Sequence, residues 1–159
     1  MRIDIGIGEF KTSSQNNVIL KTYALGSCVA LTLYCAELKT AGLIHIALPD
    51  SSLNPEKANK KPFYFADTGI EHVLNFISRS ANKNKYRYVL KLIGGANIMD
   101  DKEYFNIGKR NIVSVKRILW KNGFGIFKEE VGGDESRTVS ISVNNGEVVI
   151  TSGTKKLCI

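Results

Sequence analysis

The sequence LGSCVALTLY, at residues 25–34, decides how the chain folds around its first cysteine. Gly26 and Ser27 predict a tight turn, because glycine tolerates backbone angles that other residues avoid. Residues 29–34 are mostly β-branched or large and apolar, which is typical of a strand. Cys28 is therefore expected where a turn enters a strand.

A second apolar run, LIHIAL at residues 43–48, predicts the strand that pairs with the first one. Residues 37–42 would form the loop of an antiparallel hairpin. Facing residues in such a hairpin have a constant sum of residue numbers, and a loop of even length makes that sum odd. The sum for Cys28 and His45 is odd, so their side chains would share one face, directly opposite or diagonal.

The remaining chain predicts two main helices and several further strands. Apolar residues recur with helical spacing over residues 70–77, in a helix that begins near Asp67 or Thr68. A second helix is predicted over about Gly108 to Lys121, with Gly123 as its C-cap. The other predictions are strands at residues 3–7, 18–23, 88–93 and 125–131, a loop at residues 51–62, and a hairpin at residues 138–151 that turns at Asn144-Asn145-Gly146.

Length and composition bound the class of protein. The chain has 159 residues, of which 43% are hydrophobic and 23% charged, typical of one globular domain over residues 1–159. No apolar run approaches the ~20 residues of a membrane-spanning helix, and the first residues lack the pattern of a signal peptide. We therefore expect a cytoplasmic protein with a single mixed α/β (α+β) domain and no membrane insertion.

Cysteine count and charge narrow the possible cofactors and partners. The odd set Cys28, Cys35 and Cys158 argues against a disulfide framework, and with two histidines the chain offers too few spaced ligands for zinc. We expect neither a metal nor another cofactor. The net charge of +7 fits an acidic partner, or equally a solvated basic surface. Because no nucleic-acid motif accompanies the basic residues, we expect no nucleic-acid partner.

Cys28 and His45 together form the candidate site. Each alone is more often structural, the cysteine as a small buried group and the histidine as a satisfied core residue. On one face they are the minimum for thiol catalysis, with His45 taking the thiol proton. The backbone N–H groups of the turn at Gly26 and Ser27 could hold an oxyanion. A third group must fix the imidazole tautomer, and Thr22, Ser27 and Thr32 are all candidates.

The chain resembles the CheD family of chemoreceptor glutamine deamidases over nearly its whole length. The strongest motif is Leu25-Gly26-Ser27-Cys28-Val29-Ala30, followed seventeen residues after the cysteine by His45. Several motifs in the right order are more specific than any single one. The others are GIGEF at residues 6–10, HIALPDS at 45–51, ADT at 66–68, GGA at 94–96, NIGKRN at 106–111, and Gly132-Gly133 with Arg137.

The resemblance implies a fold, a reaction and partners. The fold would be a sandwich with β-sheets inside and helices outside, distantly similar to the catalytic domains of deamidating toxins. Cys28 matches the nucleophile, His45 the base and Thr22 the threonine that orients the base. The implied substrate is a glutamine on the cytoplasmic helical bundle of a chemoreceptor, converted to glutamate with release of ammonia. The implied second partner is the chemotaxis phosphatase CheC.

Two alternative functions remain open. The deamidase would tune chemotaxis adaptation, whereas the first alternative is a regulatory module that binds CheC or the receptor with little catalysis. Such a module would be free to lose the cysteine, histidine and threonine. The second is another small thiol amidase, which would need a deep pocket beside Cys28. The same groups could also hydrolyse a methyl ester as a minor activity.

Overall fold

The structure is a computed structural model that describes residues 1–82, 85–98 and 105–159. Five strands come first, then two helices, a single strand, a third helix and four final strands. In chain order they are β1 (Arg2–Asp4), β2 (Phe10–Ser13), β3 (Ile19–Leu25), β4 (Val29–Cys35), β5 (Thr40–Ile46), α1 (Pro55–Lys60), α2 (Ala66–Ser80), β6 (Val89–Gly94), α3 (Ile107–Lys121), β7 (Lys128–Val131), β8 (Arg137–Ser142), β9 (Val148–Ser152) and β10 (Lys155–Cys158). Short 3-10 helices at Ser51–Leu53 and Pro62–Tyr64 flank α1.

In the described part of the chain the strands form two five-stranded sheets. The first has the order β1-β3-β8-β9-β10 and the second the order β2-β5-β4-β6-β7. One apolar cluster, with Leu20, Ala30 and Leu43, lies between the sheets. The other joins the opposite face of the second sheet to α2 and α3. The order is therefore sheet, sheet, helices, which confirms the predicted α/β class with helices outside.

The central hairpin has the predicted pairing parity. β4 and β5 are antiparallel, with Cys35 paired to Thr40 across a four-residue turn and Ala30 paired to His45. The loop is therefore even, and Cys28, two residues before Ala30, takes the diagonal position relative to His45. Residues in diagonal positions lie roughly 7–8 Å apart, with their Cβ atoms somewhat closer. His45 alternates with Ile44 and Ile46 of the helix-side cluster, so it faces the other sheet.

The segment predicted to be a loop contains a helix, and this prediction was wrong. The side chain of Asn54 accepts a hydrogen bond from Lys57 N at 3.0 Å, and Pro55 occupies the first turn of α1. Asparagine at the N-cap followed by proline is a helix start signal, because the ring fixes φ and no N–H is needed there. The Asn-Pro pair is thus the beginning of a helix and not a turn.

Other boundaries also differ from the prediction. Helix α2 begins at Ala66, and its N-cap residue Phe65 makes no side-chain capping hydrogen bond. The Asp67 carboxylate instead accepts hydrogen bonds from Ser51 N and Oγ. The C-cap of α3 is Asn122, and Gly123, the predicted C-cap, follows it with φ of 80°. β1 and β7 are shorter than predicted, and the edge strands β2 and β10 were not predicted. Of the helices described here, none combines the length and apolarity needed to cross a membrane.

Candidate active site

Cys28 lines an open pocket of about 500 Å³ at one end of the sandwich. Its side chain is half-buried and packs against the cluster between the sheets. Ile7 and Ile98 at the rim are 51% and 44% exposed. The pocket is open to the surface, so a side chain that projects from another protein can enter it. Its lining residues are Ile7, Ala24, Gly26, Ser27, Cys28, Ala47, Leu48, Asn54, Lys57, Tyr64, Ile98 and Ile107.

The turn before Cys28 is held by its carbonyl groups. Gly95 N donates to Cys28 O at 2.8 Å, and Ala96 N donates to Gly26 O at 2.8 Å. A Cβ at Gly94 would overlap with the Cys28 carbonyl oxygen, so this close approach requires glycine. For the N–H groups of Ser27 and Cys28 we find no acceptor within the described ranges. The turn therefore carries two backbone N–H groups that no acceptor in this part of the chain occupies.

A bulge in β3 shapes the other side of the pocket. The pairing of β3 with β8 shifts by one residue between Thr22 and Leu25. Ala24 has φ of 54°, a left-handed conformation that is uncommon for a residue with a Cβ. Bulges re-aim side chains at sheet edges and near binding sites. Here the bulge separates Thr22, which points between the sheets, from Ala24, which lines the pocket.

Thr22 and His45 make a buried hydrogen bond that links the two sheets. The distance from Thr22 Oγ1 to His45 Nδ1 is 2.7 Å, and Thr22 Oγ1 also donates to Ile5 O at 2.8 Å. Because the threonine has a single proton and gives it to the carbonyl, it must accept from His45 Nδ1–H. The tautomer with the proton on Nδ1 is therefore fixed, which leaves Nε2 with a free lone pair.

The free Nε2 of His45 has an unusual environment. The residue is 1% exposed, and Nε2 is buried with no hydrogen-bond partner among the described residues, the Cys28 thiol included. Burial lowers the pKa of His45 from 6.5 to about 4, so the ring is neutral at pH 7. A neutral imidazole with an unused lone pair is the form that a general base requires.

The pKa of the Cys28 thiol is shifted in the opposite direction to that of His45. Burial raises the pKa of Cys28 from 9.0 to about 11, and its own backbone N–H partly offsets this by favouring the thiolate. At neutral pH the resting pair is therefore thiol and imidazole, not thiolate and imidazolium.

The lowered pKa of His45 predicts a loss of stability in mild acid. The unfolded imidazole takes a proton below pH 6.5, whereas the folded one resists until about pH 4. Acid therefore favours the unfolded chain, and His45 should cost about 2 kcal/mol between pH 7 and pH 5. Urea unfolding of the parent and of His45→Gln at both pH values measures this cost. Equal losses in the two proteins would contradict it.

The structure separates the three threonine and serine candidates for orienting His45. Thr22 contacts the ring directly. Thr32 instead donates to Lys91 O at 3.4 Å, and Ser27 makes no side-chain hydrogen bond to His45. Cys35 is buried in β4 and Cys158 is exposed on β10, so neither joins the pocket. Across the described ranges, no group of three or more His, Cys, Asp or Glu residues could hold a metal ion.

Asn111, on α3, contacts the turn before Cys28, and the sequence prediction missed this contact. It is 0% exposed, and its Nδ2 donates to Ser27 O at 3.0 Å and to Ala47 O at 2.9 Å. The signal for it was a polar residue on the inward face of an amphipathic helix. That face was assigned to Ile112, Val115 and Leu119, but Ile112 is only partly buried.

Comparisons with known proteins agree on one family. Residues 47–152 match the family described as CheD chemotactic sensory transduction. Among curated relatives, the chain is 47% identical over 148 residues to "Probable chemoreceptor glutamine deamidase CheD" of Syntrophotalea carbinolica, covering 92% of this chain and 91% of the relative. The corresponding protein of Pyrococcus horikoshii is 34% identical, with coverage of 92% and 89%.

A third relative, "Probable chemoreceptor glutamine deamidase CheD 1" of Syntrophus aciditrophicus, is 40% identical over 93% of this chain and 92% of its own. The family match begins at residue 47 and does not include Thr22, Cys28 or His45. Identity at this level over most of both chains shows that the proteins are homologous. The chain belongs to the CheD family.

Proposed function

We propose that this protein deamidates glutamine side chains of chemoreceptors, with Cys28 as nucleophile, His45 as general base and Thr22 as the group that orients the base. The relatives' names supply the reaction and the substrate class. One observation carries the assignment of roles: the Thr22 hydroxyl accepts from His45 Nδ1–H and leaves the Nε2 lone pair free on the face that Cys28 shares. A merely structural buried histidine would have both ring nitrogens satisfied.

The first half of the reaction forms a thioester. Cys28 Sγ attacks the carboxamide carbon while its proton passes to His45 Nε2, because the thiol is not ionised at rest. The carbonyl π electrons move onto oxygen. His45 then gives the same proton to the leaving nitrogen, the C–N bond breaks, and ammonia departs.

The second half hydrolyses the thioester. A water molecule attacks the same carbon and transfers a proton to His45 Nε2. The C–S bond breaks, His45 returns the proton to the sulfur, and the product is the carboxylic acid of glutamate. Cys28 and His45 are regenerated in their neutral forms, consistent with the direction of both pKa shifts.

The N–H groups of Ser27 and Cys28 are the proposed oxyanion donors. They lie in the turn whose carbonyls, at Gly26, Ser27 and Cys28, already accept hydrogen bonds from elsewhere. Each occupied carbonyl holds the turn in one conformation, and donors fixed before the reaction need not reorganise during it. The N–H group of Cys28 also favours the thiolate of its own side chain.

The proposed substrate is the cytoplasmic helical bundle of a chemoreceptor, and we place the protein in the cytoplasm. A glutamine on a helix projects only a few ångströms, so it needs an open pocket such as that around Cys28. Lys109, Arg110 and Arg117 line a neighbouring depression. Together with the net charge of +7 these residues favour encounter with an acidic helix surface.

Two further assignments belong to the same proposal. The phosphatase CheC is a second partner that competes with the receptor for the exposed apolar rim at Ile7 and Ile98. Hydrolysis of a glutamate methyl ester is a minor activity, because it needs the same nucleophile and base and releases methanol in place of ammonia. Residues 1–159 act as one catalytic domain.

The direct test uses a purified receptor fragment with a defined glutamine. We expect stoichiometric ammonia release and conversion of that residue to glutamate, read by peptide mass spectrometry. A matched fragment with asparagine at the same position should react much more slowly, since its carboxamide is one methylene short of the thiol. Free glutamine turned over as fast as the fragment would indicate a small thiol amidase instead. Tight binding without ammonia would indicate a regulatory binding protein.

A further inference from the structure

Asn111 joins the two segments that carry Cys28 and His45. The carbonyl of Ser27 belongs to the residue before Cys28, and that of Ala47 lies just after the end of β5, two residues beyond His45. Both carbonyls accept from the same atom, Asn111 Nδ2, at 3.0 and 2.9 Å. One side chain of α3 therefore fixes the separation of two strand ends that meet at the pocket.

Only one of the two flipped orientations of the Asn111 carboxamide fits these contacts. Turning the amide over would place Oδ1 against two carbonyl oxygens, so Nδ2 must face them. In that orientation Oδ1 is buried without a partner among the described residues. A buried acceptor without a partner is destabilising, so packing alone would favour an apolar side chain at this position. The two hydrogen bonds that Nδ2 donates compensate for the unpartnered Oδ1.

Helix α3 also touches the nucleophile turn indirectly. A Cβ at Gly108 would lie 2.6 Å from both Gly95 O and Ala96 O, so the helix approaches this segment at backbone contact. Gly95 and Ala96 in turn donate to the carbonyls of Cys28 and Gly26. Movement of α3 would therefore displace the Cys28 turn through Asn111 and through the glycine segment together.

We propose that Asn111 is a positioning residue that sets the separation of Cys28 from His45. The inference rests on the proposed function, because it concerns the same nucleophile and base. In the resting structure Nε2 and the thiol do not yet share a hydrogen bond. Transfer of the proton then depends on how far the two strand ends are held apart, and displacement of a reacting group by 1 Å can cost ~100-fold in rate.

The test compares Asn111→Leu with Ser114→Ala. Leucine keeps a similar volume and removes both donated hydrogen bonds. Ser114 lies one turn further along α3 and donates to Pro49 O at 2.9 Å, so its replacement weakens the docking of the same helix without touching the Cys28 turn. We expect Asn111→Leu to lower kcat for deamidation by ~10- to 100-fold with little change in KM. Ser114→Ala should stay within about twofold of the parent, as neither reacting group moves.

A second readout separates positioning from general loosening. The rate at which iodoacetamide alkylates Cys28, followed at the peptide level, reports on the thiol whether or not the protein is a deamidase. Asn111→Leu should lower this rate ~10-fold at pH 7 in the parent but less than about twofold in a His45→Gln background, because coupled residues are not additive. The pH dependence of alkylation should then match that of His45→Gln.

The outcomes divide cleanly. Equal losses in both backgrounds, or an equal loss in Ser114→Ala, would overturn the positioning role and leave the deamidase proposal intact. Deamidation that persists in Cys28→Ala would overturn the proposed function, whereas the alkylation comparison would still be readable. If Asn111→Leu does not fold, Asn111→Gln carries the same comparison, since it keeps the carboxamide and changes only its reach.

Discussion

Replacing Cys28 with alanine is expected to lower ammonia release from a receptor fragment by roughly 10⁴-fold or more, as removal of a covalent nucleophile does in other enzymes. No other described cysteine lines the pocket that contains Cys28. Water would have to attack the carboxamide directly, and amides resist that attack at neutral pH. Because Cys28 is only half-buried, loss of one sulfur should leave the fold intact. The measurement is the initial rate of ammonia release with excess substrate.

The two remaining cysteines provide matched controls for this variant. Cys35 is buried and its Sγ donates to Glu37 Oε2 at 3.3 Å, while Cys158 is exposed on the edge strand. Cys158→Ala should release ammonia at the parental rate, and Cys35→Ala should change stability more than rate. Retained activity in Cys28→Ala together with lost activity in either control would move the nucleophile to another cysteine.

Replacing His45 with glutamine should lower kcat by ~10³-fold, within the range for loss of a general acid or base. Glutamine can still donate a hydrogen bond towards Thr22, so the link between the sheets need not be lost. It cannot carry the proton from the thiol to the leaving nitrogen. The pKa of the Cys28 thiol, already raised to about 11 by burial, leaves little thiolate to compensate at neutral pH.

The pH profile provides an independent check on the role of His45. Since burial lowers its pKa to about 4, the imidazole remains an active base down to roughly pH 5, where a histidine with an ordinary pKa would be mostly protonated. The control is His72→Gln on α2, whose Nδ1 lies 2.8 Å from Thr68 O and which does not line the pocket. An activity profile that falls with a midpoint near pH 6.5 would contradict the buried, neutral base.

The central hairpin could be predicted from sequence because its determinants are local. Residues 29–34 and 43–48 are apolar runs separated by a short loop. Whether the loop length is odd or even then decides which side chains of the two strands share a face. The prediction that Cys28 and His45 share a face was confirmed by the pairing of Ala30 with His45. Exact register could not be predicted, since directly opposite and diagonal placements satisfy the same parity.

The partner of His45 could not be derived from residue patterns. Thr22, Ser27 and Thr32 were equivalent by that reasoning, and only the family resemblance singled out Thr22. The contact runs between two sheets, so it depends on how they pack and not on pairing within one hairpin. The bulge between Thr22 and Leu25 adds a shift that no alternating pattern reveals.

Asn111 illustrates a second limit of the sequence. It is 84 residues from Ser27 in the chain, and a polar side chain in a helix is usually assigned to the solvent-facing side. Only the docked position of α3 shows that it lies inward. The helix at Pro55–Lys60 was missed for a different reason, because Asn54-Pro55 fits both a turn and a capped helix start.

The hydrogen bond between Thr22 and His45 can form only when the two sheets pack against each other. Thr22 belongs to one sheet, whereas His45 and the strand that follows Cys28 belong to the other. A chain with every strand paired but the two sheets still apart would contain Thr22 and His45 without the hydrogen bond that fixes the imidazole tautomer. Under the proposed mechanism, ammonia release would therefore report the final docking of the two sheets, whereas secondary-structure content would not.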